Sequence, residues 1–257
     1  MLVTLLILMI GGIGLAQAVS SPNEVTLRWL RLGGLVAIGL TAVAAVMQTA
    51  GGWPPVARAI EFAFVAAACI VQLLTIQLGW RRIQRGAAFA LFAAAVVAAV
   101  GNLRDAAPPD SGLVGASFAA VYVAAALDAG LVGGTLMTML LGHAYLTSSN
   151  EMSQRPFRRL VIAAGTLIVV HLAVSILFGI RPFMAIDAPG RSWVTMLIAA
   201  RLLVGLVAPA VFTWMVHDCV RRRANQSATG ILYVTLIVII IGQGLSFELY
   251  ERTGLVF

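Results

Sequence analysis

The sequence predicts an all-α fold, a polytopic membrane helix bundle with about eight transmembrane helices and both termini outside. It forms a single integral membrane domain over residues 1–257. Three observations predict this. Hydrophobic residues make up 61% of the chain and charged residues 11%, against roughly 25% charged in a soluble domain. The apolar residues gather into runs near the length of about 20 that a helical crossing needs. The basic residues sit in the short connections and alternate in density from one side to the other. Valine, isoleucine and phenylalanine within the runs do not argue for strands, because lipid admits only helices or closed barrels. The period-2 alternation of a barrel is absent.

In order, the helices are expected near 2–19, 29–49, 59–79, 87–103, 116–146, 159–180, 192–216 and 229–249. The first resembles a signal peptide, with Ala16-Gln17-Ala18 as a cleavage-like site. No basic segment precedes it, however, and its removal would invert every later loop, so it is expected to stay. Residues Arg104–Ser111, with Pro108 and Pro109, form a turn on the outer side. The run 116–146 is too long for one crossing: at about 1.5 Å per residue it spans roughly 46 Å, against a core of about 30 Å. Its start is expected to project from the membrane or to lie along the outer interface. No internal repeat or low-complexity linker is evident, although a weak duplication of four helices plus four stays open. Gly130-x-x-Gly133-Gly134 offers a small-residue packing face, and Gly33-Gly34 and Gly11-Gly12 can act similarly.

The net charge is +7, but it does not indicate nucleic-acid binding, because the cations lie in loops between spans. Eleven arginines fall on one side (28, 31, 81, 82, 85, 155, 158, 159, 221, 222, 223) and five on the other (58, 104, 181, 191, 252). Arg201 lies within a helix. The richer side is cytoplasmic by the positive-inside rule, and a bacterial inner membrane is the expected location. All 17 basic residues are Arg, so no lysine Schiff base, and hence no retinal chemistry, is available. Cys69 and Cys219 are expected at different depths and unpaired. No phosphate loop, His-Glu-x-x-His motif or other metal-site signature occurs.

Intramembrane polar groups are the functional candidates. Asp128 and Arg201 both fall in the outer third of their helices, where pairing would lower the cost of burying either. His171 lies somewhat deeper. A structural ion pair is one reading of these residues. The other is an outer pocket for a quinone head group, with Arg201 and His171 as donors to the carbonyls and Asp128 as proton acceptor. Glu61 and Glu248, near the outer ends of their helices, are candidates to continue a proton path. On the inner side, His143 and His217 are possible axial ligands of a haem b, or ordinary interfacial anchors. Arg201 and His217 are sixteen residues apart, which puts them on opposite faces of a regular helix unless Pro209 kinks it.

The segment Arg201-Leu-Leu-Val-Gly205-Leu-Val-Ala-Pro209 precedes the basic loop Arg221–Arg223 and a helix with Gly242, Tyr250 and Gly254. Over these C-terminal helices the chain resembles membrane anchor subunits of the polysulfide reductase and DMSO reductase type. The resemblance implies about eight helices, no cofactor held by the anchor itself, a quinone site near the outer face, and an iron–sulfur partner. It assigns no quinone ligand, since no motif identifies one. The expected function is an integral subunit of a respiratory-type redox complex that binds quinone and exchanges electrons with iron–sulfur or cytochrome partners. A haem b cytochrome, a small transporter and an assembly protein are the alternatives. No catalytic residue of its own is expected.

Overall fold

The computed structural model describes residues 1–21, 23–50, 54–106, 118–147, 153–184 and 188–253. At 118, 178–184 and 188–191 it describes the backbone path alone. Among these residues there is no strand. The helices are α1 (Leu2–Val19), α2 (Leu27–Ala50), α3 (Val56–Gln77), α4 (Arg81–Ala106), α5 (Phe118–Thr147), α6 (Arg155–Met184), α7 (Ala188–Leu202), α8 (Ala208–Arg221) and α9 (Asn225–Thr253). A π-helical turn, Leu203–Val207, joins α7 to α8, and together they make the seventh crossing. Eight helical stretches among the described residues are long and apolar enough to cross a membrane. The end of the bundle at which α1 begins and α9 ends is called here the terminal face; the other, which carries Arg28, Arg81, Arg155 and Arg221, is the arginine-rich face.

Several helices extend beyond their apolar runs. Arg28 and Arg31 lie inside α2, Arg81, Arg82 and Arg85 open α4, and Arg155, Arg158 and Arg159 open α6. An arginine's apolar stem lets the backbone stay helical while the guanidinium reaches the interface. α5 is one unbroken helix from Phe118, so no separate interfacial helix exists within the described part of the run 116–146. The proline turn after Arg104, at 107–117, lies outside the described residues.

The helices form two four-membered rings that share one core. α1, α2, α3 and α4 pack in a cycle, and α5, α6, α8 and α9 pack in another. The rings meet where α1 and α4 lie against α5. That junction needs glycine. A Cβ at Gly12 would overlap the Ala129 carbonyl oxygen and lie 2.6 Å from Gly133 Cα. A Cβ at Gly133 would overlap the Met9 carbonyl. Gly134, by contrast, faces open space, so the small-residue face of α5 ends at Gly133.

The two rings also repeat each other in sequence signs and burial register, in line with the four-plus-four duplication left open by the sequence. Ser20-Ser21-Pro22-Asn23-Glu24 recurs as Ser148-Ser149-Asn150-Glu151, followed in each case by a spaced arginine pair, Arg28 and Arg31 or Arg155 and Arg158. Buried Leu30, Ala37, Thr41 and Ala44 of α2 match buried Phe157, Ala164, Ile168 and His171 of α6 at a constant offset in numbering. On α4 and α9, Ala87, Leu91, Ala98 and Gly101 match Ala228, Leu232, Ile239 and Gly242 in the same way. Contacts recur too. The Gln17 amide donates to the Leu30 carbonyl at 3.0 Å, and Tyr145 stacks on Phe157 with ring centroids 5.5 Å apart. An even number of crossings per unit makes the two units parallel in the membrane.

Candidate functional site

Four helices, α5, α6 and α9 of the second ring with α7 beside it, bring polar side chains to one point. Asp128 (α5), His171 (α6), Arg201 (α7) and Gln243 (α9) are 6%, 0%, 1% and 1% exposed. Arg201 Nη2 donates to Asp128 Oδ1 at 3.1 Å, and Gln243 Nε2 donates to Asp128 Oδ2 at 3.0 Å. Both carboxylate oxygens thus accept a hydrogen bond. Arg201 Nη2 also lies 3.3 Å from His171 Nε2. A guanidinium cannot accept, so Nε2 is the acceptor and the imidazole is neutral, with its proton on Nδ1. That nitrogen faces Asp128 Oδ1 at 3.6 Å. The centre carries one positive and one negative charge, which is how a buried ionic group avoids most of its desolvation cost.

Local backbone geometry holds Arg201 in place. Pro209 has no N–H to offer the Gly205 carbonyl four residues back, and its ring crowds that carbonyl. The chain answers with the wide turn Leu203–Val207, where Ala208 N–H reaches back to Leu203 O. Gly205 in that turn meets Gly242 of α9. A Cβ at Gly205 would lie 2.6 Å from Arg201 Nη1 and 3.0 Å from Gly242 Cα. The two glycines let α9 approach the turn closely enough for Gln243 to reach Asp128.

The π turn also changes the phase of the crossing. It absorbs about one extra residue, or roughly 100° of rotation. His217 therefore points roughly 60° from Arg201 rather than opposite to it, through a π turn rather than a simple proline kink. His217 is half-buried on α8, and His143 is exposed on α5. α6 and α9 pack between those two helices. Among the described residues, no three His, Cys, Asp or Glu side chains cluster as a metal site.

A small cavity adjoins Asp128, between α4, α5 and α9. Asp128, Gln243, Ser246 and Tyr250 are its polar lining, with Leu103, Ala124, Ala125 and Phe247 as apolar walls. The volume open to a water's centre is about 10 Å³, room for about one water.

Asp128, His171 and Arg201, singled out in the sequence, are thus brought together. Glu61 and Glu248 are not part of their group. Glu61 pairs with Arg58, which also donates to Asp105 at 2.7 Å. Glu248 pairs with Arg252 at the exposed end of α9. Sequence reasoning missed Gln243, which gives Asp128 its second hydrogen bond. It also missed Gln17 and Gln72, whose side chains bond at 2.7 Å in the first ring, and Trp29, whose indole donates to the Met137 carbonyl at 3.1 Å. A neutral amide inside an apolar run was the available signal, and attention to charge passed over it.

No protein-family model, curated protein or solved structure matches the chain.

Proposed function

We propose that the chain is an integral membrane subunit of a redox complex, in which the Asp128–His171–Arg201–Gln243 centre serves a quinone reaction. One observation carries this reading: a carboxylate, a guanidinium, a neutral imidazole and an amide converge at one buried point, held by four different helices. A quinone needs donors at its carbonyls and a proton acceptor nearby, and these groups supply both. Quinol oxidation releases two electrons and two protons. In this reading the electrons pass to an iron–sulfur or cytochrome partner, and the protons leave through Asp128 and water. Oxidation on the outer side of a bacterial inner membrane fits the arginine distribution.

The cavity beside Asp128 takes a water and not a quinone ring. In this reading the ring enters only when α9 and the π turn separate at the Gly205–Gly242 crossing. The test is Arg201→Leu in the complex purified with its partners, measured by quinone turnover and a reduced-minus-oxidised optical spectrum. Lost turnover with assembly retained supports the reading; full turnover overturns it. A b-type haem band belonging to this chain would instead promote His143 and His217.

A second reading, a proton-coupled transporter, has its own support. Parallel four-helix repeats and a helix with a π turn beside a buried ion pair are in keeping with a transporter site. Substrate-driven proton movement by the chain alone, without a redox partner, would favour it.

A further inference from the structure

We infer that Asp128 exchanges its proton with water only on the terminal face, through a polar strip on α9 formed by Gln243, Ser246 and Tyr250. The inference rests on Asp128 being a proton-handling group, and it takes a path other than the one expected through Glu61 and Glu248. Glu61 and Glu248 are engaged by Arg58 and Arg252, and neither lines the cavity at Asp128.

Residues 243, 246 and 250 follow helical spacing and share one face of α9. All three line the cavity that ends on the carboxylate. Two small residues of α5, Ala124 and Ala125, stand opposite them, which is why space remains there. Leu103 closes the side toward α4. From Asp128 the strip climbs about two helical turns toward the terminal face. Tyr250 is buried at its upper end, and exposed Arg104 lies over the Tyr122 ring on the neighbouring helices, 5.8 Å from its centroid. Below Asp128 the way is blocked. Arg201 Nη1 fills the Gly205–Gly242 crossing, and buried Leu131, Val132, Leu206 and Ile239 pack beneath it. A water in the cavity has Asp128, Gln243 and Ser246 as partners, enough to hold it in an apolar surround. The route crosses the seam between the rings, since Leu103 belongs to one and the rest to the other.

The experiment is side-specific thiol labelling in sealed vesicles, with the C-terminal face located by a protease-sensitive tag. Ser246→Cys is made in a Cys69→Ala/Cys219→Ala background and treated with Ag⁺, a thiol reagent about as small as the water the cavity admits, and the thiols left unreacted are counted after denaturation. The expected result is labelling from the terminal face at least tenfold faster than from the arginine-rich face. Adding Leu103→Trp should slow it at least tenfold, and Ile239→Cys should stay unlabelled from both faces. Equal labelling from both faces, or an unlabelled Ser246→Cys in protein that keeps its wild-type thermal melting, overturns the inference. No quinone enters this assay. Sided access with full turnover in Arg201→Leu would remove the quinone reading and leave the route standing. Lost turnover without sided access would do the reverse.

Discussion

Replacing Asp128 by Asn is the most informative perturbation of the buried centre, because it removes one charge at almost constant shape. In the native protein Arg201 is 1% exposed and its compensating charge is Asp128, 3.1 Å away. Removing one member of a buried pair costs about 3–5 kcal/mol, since the other charge stays desolvated. The new amide still has a carbonyl oxygen for one of the two donors, Arg201 or Gln243, while the other donor loses its acceptor. A side-chain hydrogen bond within a membrane bundle contributes only about 0.6 kcal/mol, so the charge dominates. The one-water cavity beside residue 128 offers some solvation, which sets the expectation near the low end, about 3 kcal/mol.

The double variant Asp128→Asn/Arg201→Gln removes both charges and leaves amides that can bond to each other and to Gln243. Its expected cost is about 1–2 kcal/mol, smaller than that of Asp128→Asn alone, with a coupling energy of at least about 2 kcal/mol. The assay is dodecyl sulfate titration of the detergent-purified variants, compared at equal transition slope. A loss below about 1 kcal/mol for Asp128→Asn, or strict additivity in the cycle, would refute the view that these two charges hold each other in the bundle.

Gly101→Ala and Gly242→Ala, at matching positions of the two units, should differ sharply. The first new Cβ meets the flexible end of Arg58, which can move, whereas the second overlaps the Gly205 backbone; comparing melting temperatures checks this. Gly12→Ala should prevent stable assembly and Gly134→Ala should leave it unchanged, because one new Cβ strikes the Ala129 carbonyl and the other meets nothing within 4 Å; the yield of monodisperse protein after gel filtration decides it. Trp29→Phe should cost about 1 kcal/mol through the lost bond to the Met137 carbonyl and a small void, read by the same dodecyl sulfate titration. His171→Phe should destabilise by about 1–3 kcal/mol, since it removes the acceptor 3.3 Å from Arg201 Nη2; an unchanged unfolding midpoint would contradict this hydrogen-bond assignment.

The crossings were legible because lipid leaves a hydrophobic run few options, and their ends were less so because arginine stems extend helices past the apolar stretch. Asp128, His171 and Arg201 could be grouped by depth, since counting along a helix fixes height. Their meeting depends on which helices are neighbours, and depth is silent on that. Gln243 escaped because an amide inside an apolar run carries no charge to draw attention. The π turn escaped because Pro209 alone permits either a kink or a widened turn, and the choice falls to Gly205 packing against Gly242. The repeat escaped because most of it lies in burial register rather than in identical residues.

The repeat in turn bears on the role proposed for the buried centre. Both units place an arginine from one helix against a glycine of the next: Arg58 at Gly101, and Arg201 at Gly242. In the first unit Asp105, the carboxylate that takes the Arg58 Nε bond, is more than half exposed, and the position matching His171 is Ala44. The Arg58 side chain is itself only 14% exposed, but its partners Glu61 and Asp105 both reach solvent, at 26% and 55%, so the group ties helix ends together near the surface. In the second unit the arginine has sunk below the surface, its partner sits on the helix at the seam, and a histidine and an amide complete the surround. Stability alone does not account for that change, because an apolar filling of the same space would be at least as stable as a buried ion pair. The first unit closes without such a centre, which supports the proposal that the charges of the second serve a function rather than the fold. A chimera with an apolar centre tests this: Asp128→Leu, His171→Leu, Arg201→Leu and Gln243→Leu together refill the space and leave no amide without its acceptor, and should give a bundle that folds about as well as wild type without the proposed activity. A chimera that misfolds would show instead that the centre is needed to hold the second ring together.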